Sequence, residues 1–563
     1  MKKLFSLIVL LVNILQAQVG IGTSSPAATS VLDLTSTTKG MLVPRMTATE
    51  KSAISSPATG LLIYQTDGTT GFYYYTGSAW TGLSTSGLLS KVEGTNFTGS
   101  LLVGHATTGT LDAAHYNTGI GLGALQALTT GDNNTASGNS ALYSNTTGYY
   151  NTANGFEALK LNTTGNNNTA NGFEALESNT TGYNNTANGY QALYSNTTGK
   201  ENTASGYQAL YSNTASYNTA NGSGALKLNT TGDKNTASGY KALYSNTTGY
   251  YNTASGHTAL YSNTTGYYNT ANGFSALYSN TTGTNNTANG YSTLYFNTTG
   301  TNNTANGNLA LTSNTTGSNN TASGYDVLRR NTTGSDNTAN GYQALAYNTT
   351  GYYNTANGSF ALFSNLTGSN NTANGDGALQ SNTIGDFNTA NGYQALGSNT
   401  TGSNNTAIGY DAQVPTGTAS NQVSIGNTSV TYAGVQVAWT ITSDKRWKSD
   451  IKQSALGLDF IKSLNPVSYV RNNDEKKKTE YGFIAQELET ALNKAGAANN
   501  GIISKDDAGM YSVRYNDLLA PMVKAIQEQQ TMIAEMKKEN EKQQKEITEL
   551  KKMVIKDYSS KEN

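Results

Sequence analysis

The sequence predicts a mainly β protein: a repetitive parallel β-roll or β-solenoid fibre, followed by a small α+β domain and a C-terminal coiled-coil helix. Three observations support this prediction. A 17-residue phrase recurs from Asn117 to Gly409. Charged residues then appear abruptly, together with short helical and extended patterns. Near the chain end, apolar residues recur at heptad spacing, which is typical of a coiled coil.

The repeat reads N-T-A-[N/S]-G-[Y/F]-x-A-L-x-x-N-T-T-G-x-x, with one shorter unit between Asn202 and Asn218. A fixed period of this length indicates stacked units that contact only their neighbours. One unit cannot bury its Ala-Leu pair, whereas stacked units place the leucines in a continuous row. Asparagines at equivalent positions can form amide ladders between turns. We therefore expect a solenoid over residues 117–430.

Within each unit, turns are expected at the first glycine and at Asn-Thr-Thr-Gly. A short β segment carrying the Tyr or Phe is expected between them. The number of strands in each turn stays open, and so does the choice between a β-roll and a three-chain β-helix.

The composition argues against several classes of function. The 563 residues carry a net charge of −1 and no cysteine, so there is no electrostatic reason to expect a nucleic-acid partner and no disulfide framework. Acidic residues are sporadic in the repeats, which argues against a calcium-binding array and against a repeated carboxylate pair for glycoside hydrolysis. We expect no metal and no cofactor.

The first residues have the composition of an export signal. Lys2 and Lys3 precede an apolar run from Leu4 to Leu15, and Ala17 stands at a plausible cleavage point. That run is too short to span a bilayer, and no later segment is apolar enough to do so. We expect residues 1–17 to be a signal peptide and the protein to be secreted or at the cell surface, without a transmembrane segment.

Residues 18–116 form a Gly/Ser/Thr-rich β region. Val31–Leu34, Leu61–Tyr64 and Gly71–Tyr75 have strand-like composition beside turn residues. The segment from Tyr75 to Trp80 resembles the N-terminal attachment region of bacterial fibre-like surface proteins. An ordinary small β domain is the alternative.

Residues 431–515 are predicted to form a compact α+β module. Helical spacing runs from Ser454 to Leu464, and Val467–Val470 and Tyr481–Ile484 read as paired strands around a charged loop. A further helix begins at Ala485.

Residues 516–556 are predicted to be one long helix, capped by Asn516 or Asp517 and followed by a short tail, 557–563. The expected seam of the coiled coil consists of the residues at heptad position a: Leu519, Ile526, Ile533, Asn540 and Ile547.

Four motifs occur in order in the C-terminal part: S-D-x-R-x-K from Ser443, L-N-P-V-S-Y from Leu464, G-F-I-A-Q-E from Gly482 and Y-S-V-R-Y-N-D-L from Tyr511. Over residues 441–540 they resemble the C-terminal intramolecular chaperone of endosialidase tailspikes, a self-cleaving serine peptidase family. The repeat phrase resembles the head repeats of trimeric autotransporter adhesins. Similar repeats also occur in phage-tail-like fibres.

The chaperone resemblance implies a function. In that family three copies trimerise, align the fibre chains and then cut themselves off with a Ser-Lys dyad. By motif, Ser443 would be the nucleophile, Lys448 the general base and Ser443–Asp444 the bond that is cut. Arg446, Gln486 and Glu487 are the expected supporting residues.

The sequence thus predicts an exported trimeric fibre or adhesin that is an autocatalytic serine endopeptidase acting once on its own chain. The alternative is a non-cleaving structural surface adhesin that keeps its C-terminal trimerisation domain. The expected partner is the protein itself, as a homotrimer, and a surface glycan or matrix ligand is possible.

Overall fold

A computed structural model describes residues 18–83, 90–94, 97–103, 111–437 and 439–561. The predicted signal peptide lies outside the described residues. Backbone contacts divide the chain into two compact units, Met1–Asn154 and Gly155–Asn563.

The first unit begins with small sheets. Strands β1 (Val19–Ile21) and β2 (Leu32–Leu34) pair in parallel. A four-stranded sheet follows, in the order β3 (Arg45–Met46), β4 (Leu62–Gln65), β5 (Gly71–Tyr75) and β6 (Trp80–Gly82). Helix α1 (Ala48–Ala53) lies between β3 and β4 in the chain. Three segments predicted as β from composition thus contain strands, whereas α1 was not expected.

The first unit also contains the start of the repeat ladder. Strands β7 (Ser90–Gly94) and β8 (Phe97–Val103) are antiparallel. Strand β8 then pairs in parallel with β9 (Thr118–Ile120), which is followed by β10 (Thr135–Ser137) and β11 (Thr152–Asn154). The change from antiparallel to parallel pairing marks where the repeats begin.

In the second unit the repeats form an uninterrupted parallel ladder, with one three-residue strand in each turn. Threonine pairs with threonine and alanine with alanine in successive turns. The strands are β12 (Thr169–Asn171), β13 (Thr186–Asn188), β14 (Thr203–Ser205), β15 (Thr219–Asn221), β16 (Thr236–Ser238), β17 (Thr253–Ser255), β18 (Thr270–Asn272), β19 (Thr287–Asn289), β20 (Thr304–Asn306), β21 (Thr321–Ser323), β22 (Thr338–Asn340), β23 (Thr355–Asn357), β24 (Thr372–Asn374), β25 (Thr389–Asn391), β26 (Thr406–Ile408) and β27 (Val423–Ile425).

This pairing confirms the predicted parallel β-solenoid. Each strand pairs with the next strand of the same chain, one repeat later, so the coil is formed by a single chain and not by three interwound chains. One detail of the prediction is wrong: from β12 to β25 the strand is Thr-Ala-Asn or Thr-Ala-Ser, and the aromatic residue after the glycine lies in a run of turns. Left-handed backbone angles at Gly256, Thr258 and Leu260 wind this run tightly.

The interior of each turn contains the alanine of the strand and the Ala-Leu pair. Ala254, Ala259 and Leu260 are fully buried, and the same positions are buried throughout the repeats. Leu260 has a φ of 53°, a conformation that costs an L-residue about 1–2 kcal/mol. Full burial of a leucine side chain contributes about 1.5–3 kcal/mol, which offsets that cost.

Two ladders of buried asparagine connect the turns, as predicted. In the first, the side-chain amide of Asn269 donates to Oδ1 of Asn252 at 3.1 Å and to the carbonyl of Gly283 at 2.9 Å. In the second, Asn263 donates to Oδ1 of Asn246 at 2.7 Å. In these turns each amide donates to the preceding turn and accepts from the following one, so these buried polar groups are satisfied. The exception is Oδ1 of Asn196, next to the shortened unit, which is buried without a hydrogen-bond partner among the described residues.

Exposed aromatic rings at the sixth repeat position stack between turns. The ring centroids of Phe156 and Phe173 are 5.0 Å apart, and those of Tyr190 and Tyr207 are 5.3 Å apart. Aromatic pairs contribute about 0.5–1.5 kcal/mol beyond their buried area. Because neighbouring rings cover one another's faces, the stacks present mainly ring edges to solvent.

The C-terminal part of the second unit confirms the predicted α+β module. It contains a 3-10 turn (Lys445–Trp447), α2 (Leu458–Ser463), β28 (Val467–Val470), β29 (Thr479–Gly482), α3 (Ala485–Lys494), β30 (Ile503–Lys505), β31 (Tyr511–Val513), a second 3-10 turn (Tyr515–Leu518) and α4 (Leu519–Ser559). Strands β28 and β29 form the expected antiparallel hairpin. A second hairpin, β30–β31, was not expected. Phe460, Leu488, Leu492, Ile502 and Leu518 form the core.

Helix α4 has two faces. Pro521 and Ala525 are buried at its beginning, where the helix packs against α2. Asn516 and Asp517 do not cap it as predicted, because the 3-10 turn precedes it and Leu518 occupies the cap position without a side-chain bond. The predicted seam residues are exposed.

None of the described helices is both long and apolar enough to cross a membrane.

Glu528 on α4 yields a prediction about pH. Its carboxylate accepts the backbone N–H of Leu458 at 2.6 Å and lies 3.4 Å from the Lys524 ammonium. The Leu458 N–H, followed by Lys524, holds the pKa of Glu528 below its ordinary value. A lowered folded-state pKa contributes stability above the unfolded pKa of about 4.3, and this contribution is lost as the pH falls through the folded value.

We therefore expect Glu528→Gln to lower the melting temperature of the C-terminal domain at pH 7, with the deficit shrinking as the pH falls below about 4. Thermal unfolding at pH 7 and at a pH below about 4, in a chain carrying Ser443→Ala, measures this difference in melting temperature. Glu535→Gln, an exposed position on the same helix, is the control. A deficit that is equal at both pH values would contradict the electrostatic origin.

Candidate active site at the Ser443–Asp444 junction

The junction lies between the last solenoid strand and helix α2. Asp444 occupies the N-cap of the 3-10 turn Lys445–Trp447, and its carboxylate accepts the backbone N–H of Arg446 at 2.8 Å. The Arg446 guanidinium also donates to this carboxylate, at 2.7 Å. An aspartate at a helical N-cap is a common local arrangement, and the hydrogen bonds that it makes here join residues that are close together in the chain.

The 3-10 turn brings Lys448 back toward Ser443. The backbone N–H of Lys448 donates to the carbonyl of Lys445 at 3.1 Å, which ends the turn. The Lys448 side-chain nitrogen then lies 2.6 Å from Oγ of Ser443. A nucleophile and a base within about 2.6–3.2 Å of each other have the separation that proton transfer requires.

The charges next to this pair compensate each other. The Arg446 side chain, and then its backbone N–H, hold the pKa of Asp444 below its ordinary value. In return, the hydrogen bond to Asp444 raises the pKa of Arg446. Both side chains therefore stay charged at neutral pH, and the positive charge of Arg446 is directed toward Asp444.

Ser443 and Lys448 are exposed in the single chain. A lysine acts as a general base only when burial or a neighbouring cation favours its neutral form. The single chain does not bury this site.

The structure places the other predicted supporting residues elsewhere. Gln486 and Glu487 lie on α3 and are exposed. Glu487 accepts the side-chain amide of Asn465 at 3.1 Å, and the backbone carbonyl of Gln486 accepts the hydroxyl of Thr490 at 2.9 Å. Within the described residues no hydrogen bond or ion pair connects either side chain to Ser443 or Lys448.

The predicted seam residues lie along one exposed face of α4. Leu519 is 57% exposed, Ile526 64%, Ile533 42% and Ile547 42%, and Asn540 is also exposed. Met522, Met536 and Leu550, at heptad position d, are exposed beside them. An apolar stripe of this length on one helix is the pattern of a coiled-coil seam.

Sequence reasoning missed a contact between the C-terminal domain and the last turns of the solenoid. The backbone N–H of Asp507, in the β30–β31 loop, donates to the carbonyl of Pro415 at 2.8 Å. The Asp507 carboxylate accepts the N–H of Gly417 at 3.1 Å. The only signal was the turn-forming sequence Asp506-Asp507-Ala508-Gly509, which does not reveal its partner.

A second missed feature precedes the junction. Val435, Val437, Trp439 and Ile441 alternate with Gln436, Ala438 and Thr440, which is the pattern of a strand with one apolar face. These four apolar residues are exposed in the single chain. The alternation was visible in the sequence.

Comparison with known families identifies two parts of the chain. Residues 443–497 match the family model described as chaperone of endosialidase. Residues 20–99 match the model described as phage tail like trimerisation region. A search of curated proteins and a search of solved structures each gave no match.

These matches confirm the predicted resemblance of the C-terminal region to an endosialidase-type chaperone. The N-terminal region, expected to be an attachment region or an ordinary β domain, is similar to a phage tail like trimerisation region, which supports a homotrimer. A match to a trimerisation region, a β-solenoid and a match to an endosialidase-type chaperone domain together support a trimeric tail-fibre-like protein.

Proposed function

We propose that this protein is an exported fibre whose C-terminal domain aligns three chains, drives their assembly and then removes itself by cutting the Ser443–Asp444 bond. The observation that supports cleavage is the 2.6 Å contact between the Lys448 nitrogen and Oγ of Ser443. The match of residues 443–497 to the chaperone of endosialidase family also supports it.

The cleavage chemistry can be written from these groups. Lys448 takes the proton of the Ser443 hydroxyl, and Oγ attacks the carbonyl carbon of a Ser443 residue. The bond to the Asp444 nitrogen breaks, Lys448 returns the proton to the leaving amine, and water then hydrolyses the ester. Attack on its own carbonyl carbon would close a strained four-membered ring, whereas attack on Ser443 of a neighbouring copy closes no ring. We therefore place the nucleophile and the bond that it cuts on neighbouring copies.

Such a reaction depends on assembly. The dyad is solvent-exposed in one chain, and Arg446 is paired with Asp444. Three copies meeting at the junction would exclude water and favour a neutral lysine. Cleavage would thus follow trimerisation.

The solenoid itself explains why an aligning domain is useful. Successive turns present nearly the same strand, Thr-Ala-Asn or Thr-Ala-Ser, so pairing shifted by one repeat has little local penalty. Non-local β pairing is also slow and prone to aggregation. A C-terminal trimer that forms first would set the register of the three chains.

Intact-mass measurement of the purified protein tests this proposal. We expect the wild type to give two species separated between Ser443 and Asp444, and Ser443→Ala and Lys448→Met each to give one full-length species. Ser449→Ala and Lys445→Met, exposed neighbours of the same residue types, are the controls and should cleave normally.

Two other results have definite meanings. A single full-length mass for the wild type would overturn cleavage and favour the alternative, a structural surface adhesin that keeps its C-terminal domain. If the cut lies between Thr442 and Ser443, the mass of each fragment differs from the expected mass by one serine residue. Such a cut would show that Oγ of Ser443 attacks the carbonyl carbon of Thr442 in the same chain. The ligand of the fibre, a surface glycan or a matrix protein, remains a prediction.

A further inference from the structure

The segment between the solenoid and the chaperone domain has the pattern of a strand but no partner strand. Its apolar side chains alternate with polar or small ones from Val435 to Thr442, and this alternation is typical of a half-buried strand. Within the described residues, no backbone hydrogen bond involves residues 431–437 or 439–442. In the described part of the segment, the backbone donors and acceptors of a potential strand are therefore unused.

The apolar face of this segment is uncovered. Val435 is 59% exposed, Val437 79%, Trp439 75% and Ile441 70%. Single exposed apolar residues are ordinary, but a contiguous apolar patch generally marks an interaction surface. Unpaired strand edges likewise tend to pair with another chain.

We propose that residues 435–442 of three copies associate as an inter-chain β clamp, with Val435, Val437, Trp439 and Ile441 of each copy facing the shared axis. The apolar face of one segment would thus be covered by the same segment of two other copies. Three identical segments that meet in register place like residues at the same level, so that each apolar face covers the other two.

The position of the segment in the chain favours this occupant. The trimerisation region at residues 20–99 and the chaperone domain beginning at residue 443 both belong to a trimer-forming protein. The segment lies directly before that domain, so any three-fold alignment of the domain also brings the three segments together. The neighbouring strand β27 already pairs with β26. No backbone hydrogen bond joins the described part of the segment to β27.

The clamp would outlast the chaperone. Residues 435–442 lie on the fibre side of the Ser443–Asp444 bond, so they stay with the solenoid when residues 444–563 are released. The clamp would then be the element that holds the three C-terminal ends of the mature fibre together. It also places the three Ser443 residues at one level, where each can reach a neighbour.

Single cysteines test the clamp, because the chain contains none of its own. Val437→Cys and Gln436→Cys are each made in a Ser443→Ala chain, so that the protein stays whole. Both positions are exposed in the single chain, but only Val437 belongs to the apolar face. After mild oxidation we expect disulfide-linked dimers on a non-reducing gel for Val437→Cys, at least about tenfold more than for Gln436→Cys, because only neighbouring Cβ atoms can be bridged.

The outcomes separate this inference from the proposed function on which it partly rests. Light scattering of the same samples reports the oligomeric state. A trimer in which both cysteines link equally, or neither links, overturns the clamp alone. A monomer overturns the trimer as well. Cleavage does not enter this test, because Ser443 is absent.

A second variant tests the clamp in the cleaved fibre. We expect Trp439→Ser to leave the trimer of the Ser443→Ala chain intact, since the rest of the C-terminal domain still holds it. In a chain that cleaves, the same substitution should let the C-terminal ends separate, seen as faster proteolysis of the last solenoid turns. Thr440→Ser, on the polar face, is the control. Equal proteolysis of the two cleaved variants would overturn the clamp.

Discussion

Replacing Asn269 with serine is expected to destabilise the solenoid by about 3–5 kcal/mol, since each buried polar group left without a partner costs about 1–3 kcal/mol. The Asn269 amide donates to Gly283 and to Asn252, and its Oδ1 accepts both the backbone and the side-chain N–H of Asn286. Serine is too short to replace these bonds. The groups that lose a partner are buried, so water cannot replace the lost hydrogen bonds either.

Asn272→Ser is the matched control for this prediction. It makes the same change three residues away, at an exposed strand position where Asn272 donates to Asn289. Serine already stands at the equivalent position in the preceding turn, as Ser255. We expect an effect within about 0.5 kcal/mol.

Hydrogen exchange of the turns on both sides, together with denaturant unfolding, measures the difference between the two variants. Repeat proteins are stabilised mainly by contacts between neighbouring turns, so the loss of protection should be centred on residues 252–286. Equal protection in the two variants would contradict the importance of the buried amide ladder.

The second prediction with a large effect concerns the α4 seam. Ile533→Glu is expected to abolish trimer formation through the C-terminal helix. Each chain loses the burial of one isoleucine, about 1.5–3 kcal/mol, and three carboxylates would meet at one level of the coiled coil. Light scattering or sedimentation of the Ser443→Ala chain, which keeps the helix attached, measures the result.

Thr531→Glu is the control for this variant, because it introduces the same charge two residues earlier, at heptad position f on the outer face of the coil. It should remain trimeric. If Ile533→Glu is also trimeric and equally stable, the exposed apolar stripe of α4 does not form the interface between the chains. In a chain that keeps Ser443, the expected loss of trimer should also remove cleavage, since the dyad is exposed in a single chain.

The predicted site residues differ in how well their positions in the structure could be foreseen from the sequence. The Ser443–Lys448 contact depends on one short turn, and the residues that form it are consecutive in the chain. The resemblance of the S-D-x-R-x-K motif implied this pair, and the short separation of its residues in the chain allows one turn to bring them together. The expected supporting residues Gln486 and Glu487 are about forty residues away from them, and only packing between separate elements determines where such residues lie.

In the fold, too, some features follow from local sequence and others only from packing between distant elements. The sequence by itself determined the solenoid, its period and the asparagine ladders, because a repeated phrase can satisfy its buried groups only by stacking on its own copies. It also determined the two elements that follow, the α+β module and the long helix, through local periodicity.

Only the tertiary structure decided which three residues of each repeat form the strand, because the left-handed turns at residues such as Leu260 are favourable only when the side chain is buried in the stack. It alone also showed that the Asp507 loop contacts the last solenoid turns, since a contact between residues ninety positions apart depends on how whole elements pack and not on local sequence.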